Sequence, residues 1–199
     1  DLYSPIKKEE YTIEFKLITG GRGEVYSGTS HKEYTEEQRL WLAEYEMLDN
    51  PYTKNAVGDL ILPCFSITNG CYGYQRRYFK GPDKYSTFLD GTNKGSMLYA
   101  EYGGDVLVIC EDLLSHYKLN MAGHNSFALM GTHASEVPTE SFDRAVLWLD
   151  SDLAGHAGAI KLYTELQPMY KNGVTVMFNK QPKEVSFEEL RKMVFYGLP

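Results

Sequence analysis

The stretch Val106-Leu-Val-Ile-Cys-Glu111 and its later echo, Ala145-Val-Leu-Trp-Leu-Asp-Ser-Asp152, decide how this chain is read. Each apolar run has the length of a buried strand, and each ends on a carboxylate. In an open α/β sheet, ligands bind beyond the ends of the parallel strands, so Glu111, Asp150 and Asp152 are predicted to meet at one sheet edge. Side chains two apart on an extended chain point the same way, which lets Asp150 and Asp152 address a common point. Three acids converging there call for a cation. Read alone, Asp152 is an N-cap for a helix starting at Leu153, and Glu111 is a solvated glutamate. The order of the elements around them favours a metal site.

Outward from this stretch the pattern alternates. A helix is expected over 112–121, a strand over 127–130, a short helix, the strand ending at Leu149, a long helix over 153–170, a strand over 174–178 and a last helix from Phe187. The small residues of Asp150-Ser-Asp-Leu-Ala-Gly-His-Ala-Gly-Ala159 let the long helix pack closely on the sheet, and Ser186 with Glu189 has capping-box spacing. Alternation of this kind implies an α/β fold, a mainly parallel sheet flanked by helices on both faces. Glu184, in Gln181-Pro-Lys-Glu184, follows the last strand and is a further candidate ligand.

The first half reads as a smaller α+β region. It has a strand over 11–17, a hairpin turn at Gly20-Gly-Arg-Gly23 and a helix over 36–48 with a Thr35/Gln38 capping box. Trp41, Tyr45 and Leu48 form its expected core stripe. The glycine turn lacks the Lys-Ser/Thr ending of a phosphate-binding loop. A β-hairpin follows, with strands over 60–65 and 71–79 joined at Thr68-Asn-Gly70. Domains are expected over 1–99 and 100–199.

With 199 residues, 43% hydrophobic and 14% aromatic, the chain has enough apolar content for a substantial core. No apolar run nears the roughly 20 residues that cross a bilayer, and Asp1-Leu-Tyr-Ser-Pro5 has no basic-then-apolar leader, so a cytoplasmic protein without membrane attachment is expected. Three cysteines without CxxC spacing support neither a disulfide framework nor a zinc ribbon. The net charge of −7 is unevenly spread. Residues 71–94 carry Arg76, Arg77, Lys80, Lys84 and Lys94 against Asp83 and Asp90, whereas residues 101–152 are strongly acidic. A basic strip suited to phosphates thus precedes an acidic pocket suited to metals.

The Asp150-Ser-Asp-Leu-Ala-Gly155 element after Glu111 resembles the Toprim signature of primases, topoisomerases and some nucleases. The preceding Tyr72-Gly-Tyr-Gln-Arg-Arg77, Pro82-Asp-Lys-Tyr85 and Asn93-Lys-Gly-Ser-Met-Leu-Tyr99 resemble the basic subdomain of bacterial and phage-type DNA primase catalytic cores. That resemblance, over roughly 58–190, implies a Toprim-like sheet preceded by a basic α+β subdomain. It also implies synthesis of short RNA primers on single-stranded DNA from ribonucleoside triphosphates, in concert with a replicative helicase. Glu111, Asp150 and Asp152 would be catalytic and would hold Mg2+ or Mn2+, with Glu184 a further metal ligand. Arg77, Lys84, Tyr85 and Lys94, with Arg76 beside them, would contact template or nucleotide. Three positions depart from the family pattern: Asp112 stands where glycine is common, Ser115 where an acid is common, and Lys183-Glu-Val-Ser186 where two acids are usual. The zinc-binding module usual in that family has no cysteine pair here. The alternatives are a Toprim nuclease or topoisomerase fragment, and a non-catalytic nucleic-acid or helicase-binding module.

Overall fold

Among the described residues beyond Asp105, strand-length apolar runs and capped helices follow the predicted order, except for the short helix expected before the strand that ends near Leu149. The computed structural model of the chain describes residues 34–56, 58–68, 70–89, 95–130, 137–178 and 180–195, together with the backbone of 14–19 and 22–27. The chain forms two compact units, Asp1–Cys64 with Cys71–Asn93 and Phe65–Gly70 with Lys94–Pro199.

In the first unit, β1 (Glu14–Thr19) and β2 (Arg22–Ser27) form an antiparallel hairpin. The predicted strand residues 11–13 and the turn glycines 20 and 21 lie outside the described residues. Helix α1 (Glu36–Glu44) begins with the predicted box, Thr35 Oγ1 accepting from the Gln38 amide at 3.2 Å and Gln38 Oε1 from the Thr35 amide at 2.9 Å. It ends earlier than expected because Glu46 enters the left-handed region at φ 58°. The Met47 amide then returns to the Leu42 carbonyl, a Schellman-type stop. The deeply buried apolar side chains here are Leu42 and Met47, while Trp41, Tyr45 and Leu48 are half-buried. An antiparallel sheet follows in spatial order β3 (Lys54–Ala56), β4 (Asp59–Phe65), β5 (Cys71–Arg77), β6 (Tyr85–Leu89). Ile61 and Tyr74 pack with Ala56, Cys71 and Phe88.

The second unit is built on β7 (Ser96–Leu98), β8 (Val106–Cys110), β9 (Asn125–Ala128), β10 (Arg144–Trp148) and β11 (Val174–Met177). Their order is β11-β10-β8-β9-β7. All neighbours are parallel except β7, which pairs antiparallel to β9 at the edge. Helices α2 (Leu113–Met121), α3 (Leu153–Leu166) and α4 (Phe187–Lys192) intervene and follow. Alternate strand residues divide between two faces, as the two-residue period requires. Leu107, Ile109, Phe127, Ala145 and Leu147 pack with Ala159, Leu162 and Leu166 of α3. On the other face His116 of α2 bonds Ser126 of β9. The chain runs outward from β8 to β9 on one side and from β10 to β11 on the other. The crevice between the ends of β8 and β10 is therefore the switch point at which open α/β sheets bind ligands. The short helix expected between β9 and β10 is absent from the described residues 137–143, and residues 131–136 lie outside them.

Candidate active site

Glu111 leaves the end of β8 and Asp150 the end of β10, on adjacent parallel strands. The Asp150 amide donates to Glu111 Oε1 at 3.3 Å. Both carboxyl groups are half-buried. Burial raises the Asp150 pKa to about 6, assisted by Glu111 and Asp112 and opposed by Lys183. Glu111 is also raised, chiefly by burial and further by Asp152 and Asp112, while hydrogen bonds from Asp150 hold it down. Glu111, Asp112, Asp150 and Asp152 thus share one negative field.

Asp152 is exposed, and its Oδ1 accepts from the Gly155 amide at 2.7 Å as the N-cap of α3. Helix and strand can approach here because residue 155 is glycine. A Cβ on it would lie 2.1 Å from the Asp150 carbonyl oxygen, a backbone atom. Gly158 faces open space and carries no such constraint.

Asp112 repeats the capping arrangement on α2. Its Oδ1 accepts from the Ser115 amide at 3.0 Å and its Oδ2 from the Ser115 hydroxyl at 2.8 Å. Asp112 and Ser115 are thus linked, a fully buried serine supporting the carboxylate next to Glu111. After β11 a 3-10 turn, Pro182–Glu184, packs against α2. Glu184 is exposed in it, and the charged group turned toward the acids is Lys183, with Nζ 3.7 Å from Asp112 Oδ2. Sequence reasoning missed Lys183 as a neighbour of these acids. The signal available was its place beside an acid in a motif expected at this edge.

Among the described residues, no three His, Cys, Asp or Glu side chains stand arranged to hold a metal ion by themselves. The donor set still fits magnesium or manganese. Mg2+ takes hard oxygen ligands, commonly one or two carboxylates, and completes its shell with water and substrate phosphate. Glu111 and Asp150 supply two such carboxylates; burial chiefly raises both their pKa values, neighbouring carboxylates add to it, and a bound cation would favour the ionised forms.

In the first unit the basic residues divide by environment. Arg76 is tied to Asp59, Nη2 to Oδ2 at 2.7 Å and Nε at 2.9 Å. Arg77 lies over the rings of Phe79, Tyr85 and Trp41, at 4.9, 5.1 and 5.4 Å from their centroids, and donates to the Tyr78 carbonyl. Tyr85, opposite Arg77 in the β5–β6 register, is exposed, as is Lys84 in the loop before it. Lys94 lies outside the described residues. No described helix is long and apolar enough to cross a membrane.

This architecture is the fold of bacterial primase catalytic cores. The similar solved structures include the DnaG primase catalytic domain bound to single-stranded DNA, with TM-score 0.54 and 17% identity over 78% of this chain and 56% of that one. The Escherichia coli primase catalytic core gives TM-score 0.53 and 15% identity over 77% and 57%. The Aquifex aeolicus primase, comprising zinc-binding and RNA polymerase domains, gives 0.52 and 16% over 80% and 48%. The chain thus spans about half the length of these structures. The sequence itself matches no protein-family profile and no curated protein.

Proposed function

We propose that this chain is a primase catalytic core, a DNA-directed RNA polymerase that makes short primers on single-stranded DNA from ribonucleoside triphosphates. One observation carries the reading: in a fold shared with primase cores, Glu111 and Asp150 meet at the switch point between β8 and β10 and are linked at 3.3 Å. Glu111 and Asp150 are the ligands proposed for Mg2+ or Mn2+, with Asp152 beside them; Glu184, exposed on its turn, is the outermost candidate. A divalent ion bound there supplies charge neutralisation at the reacting phosphate and its neighbouring oxygens. The protein's own part is to hold two half-buried carboxylates in fixed register, so that little reorganisation is needed when nucleotide arrives.

Lys84 and Tyr85 are exposed on the β5–β6 hairpin and suit contact with template phosphate and base, with Lys94 a further proposed contact. Arg77, stacked among three rings, orders that hairpin as well as charging it. The likeness to a catalytic domain solved with single-stranded DNA supports template of that kind. A cytoplasmic location and a replicative helicase partner follow from the same reading.

The test is incubation with single-stranded DNA, labelled ribonucleotides and Mg2+ or Mn2+, with an Asp150→Ala, Asp152→Ala protein alongside. Metal-dependent short oligoribonucleotides from the wild type alone are expected. DNA cleavage without ribonucleotides would replace this reading with a nuclease, and binding of DNA without either reaction would leave an interaction module.

A further inference from the structure

The turn that carries Lys183 is fixed more firmly than a surface connection requires. The Lys183 amide donates to Ser115 Oγ at 3.2 Å, and its carbonyl accepts from Lys118 Nζ at 2.9 Å. Lys118 is 1% exposed, so a buried lysine helps to hold this carbonyl in place. Pro182 is buried beside it, and Trp148 Nε1 donates to the Lys180 carbonyl at 2.7 Å. A lysine normally loses much rotamer freedom when it is held in one place. Here the clamped backbone delivers the side chain to the acids, 21% exposed and 3.7 Å from Asp112 Oδ2.

The same set of contacts occupies Asp112. Oδ1 caps α2, while Oδ2 accepts from Ser115 and faces Lys183. The Ser115 hydroxyl therefore connects Asp112 directly to the Lys183 backbone. Four carboxylates would attract more than one divalent ion, but a fixed ammonium beside them lowers that attraction.

We propose that Lys183 is a built-in countercharge of the acidic site, standing where a second cation would otherwise be drawn, so that the site loads a single divalent ion. The inference rests on Glu111 and Asp150 being the metal ligands. Lys183 is a positioning and charge-setting residue in this account, and Ser115 and Lys118 act through it.

The experiment is Mn2+ binding by calorimetry and by electron paramagnetic resonance, without nucleotide or DNA, on wild type, Lys183→Met and Lys183→Arg. Wild type and Lys183→Arg are expected to take one Mn2+. Lys183→Met is expected to bind Mn2+ roughly fivefold more tightly or to take a second ion. Lys183→Gln gives the same comparison if the methionine variant does not fold. An isotherm for the folded Met or Gln variant that matches wild type overturns the countercharge. A wild type that binds no Mn2+ overturns the ligand assignment and this inference with it. Because these measurements need no primer synthesis, failure of the primase activity leaves them standing.

Discussion

The Asp150 amide donates to Glu111 Oε1 at 3.3 Å, joining the ends of two adjacent parallel strands through one backbone group and one carboxylate. Their carboxyl groups are thereby held in a half-buried crevice, where burial first, and then neighbouring carboxylates, disfavour ionisation of both, while hydrogen bonds from Asp150 partly offset this at Glu111. Such a pair is poised for a cation, and the same pair burdens the fold.

That burden is measurable as pH dependence. Asp150 is raised to about 6 in the folded chain from an ordinary 3.8, and Glu111 moves the same way. Between about pH 4 and 6 the folded state therefore holds more protons than the unfolded state, and these groups lower stability as pH rises through that window. Asp150→Asn should flatten this fall and add ~1 kcal/mol at pH 7, after discounting for solvent screening. Urea melts of both proteins at pH 4.5 and 7 check this; a variant less stable than wild type at pH 7 would contradict it.

Two glycines on one helix should respond oppositely to alanine. Gly155→Ala drives a methyl into the Asp150 carbonyl and should cost more than about 3 kcal/mol, displacing the acid with it. Gly158→Ala meets nothing and should add up to about 1 kcal/mol through helix propensity. Thermal melts of the pair decide whether close approach or mere smallness is required.

On the hairpin, Arg77 and Lys84 should separate stability from nucleic-acid affinity. Arg77→Ala removes contacts with three rings and should cost about 1–2 kcal/mol. Lys84→Ala should leave the melt unchanged while reducing the salt slope of single-stranded DNA binding by about 1. An unchanged slope would remove Lys84 from the interface.

Much of the second unit was legible because its signals are local. Val106–Cys110 and Arg144–Trp148 are apolar runs of strand length, and Asp152 and Ser186 announce helices through caps that the structure contains. The short strands Lys54–Ala56 and Ser96–Leu98 escaped because three residues carry no period, and their pairing depends on partners distant in sequence. Trp41 and Tyr45 have helical spacing, but spacing does not reveal depth. They sit half-buried, and the Trp41 ring stacks beside Arg77. At the site, Glu111 and Asp150 were readable from strand ends. Lys183 was not, since which of two adjacent charged residues faces the acids depends on how Ser115 and Lys118 hold the turn.

Primer synthesis by Asp150→Asn tests the central claim most directly, because this variant is expected to fold at least as well as wild type. With single-stranded DNA, ribonucleotides and Mg2+, wild type should make short RNA and Asp150→Asn should make at least about 100-fold less. Equal primer synthesis by the two proteins would show that the carboxylate at the end of β10 is not the catalytic group.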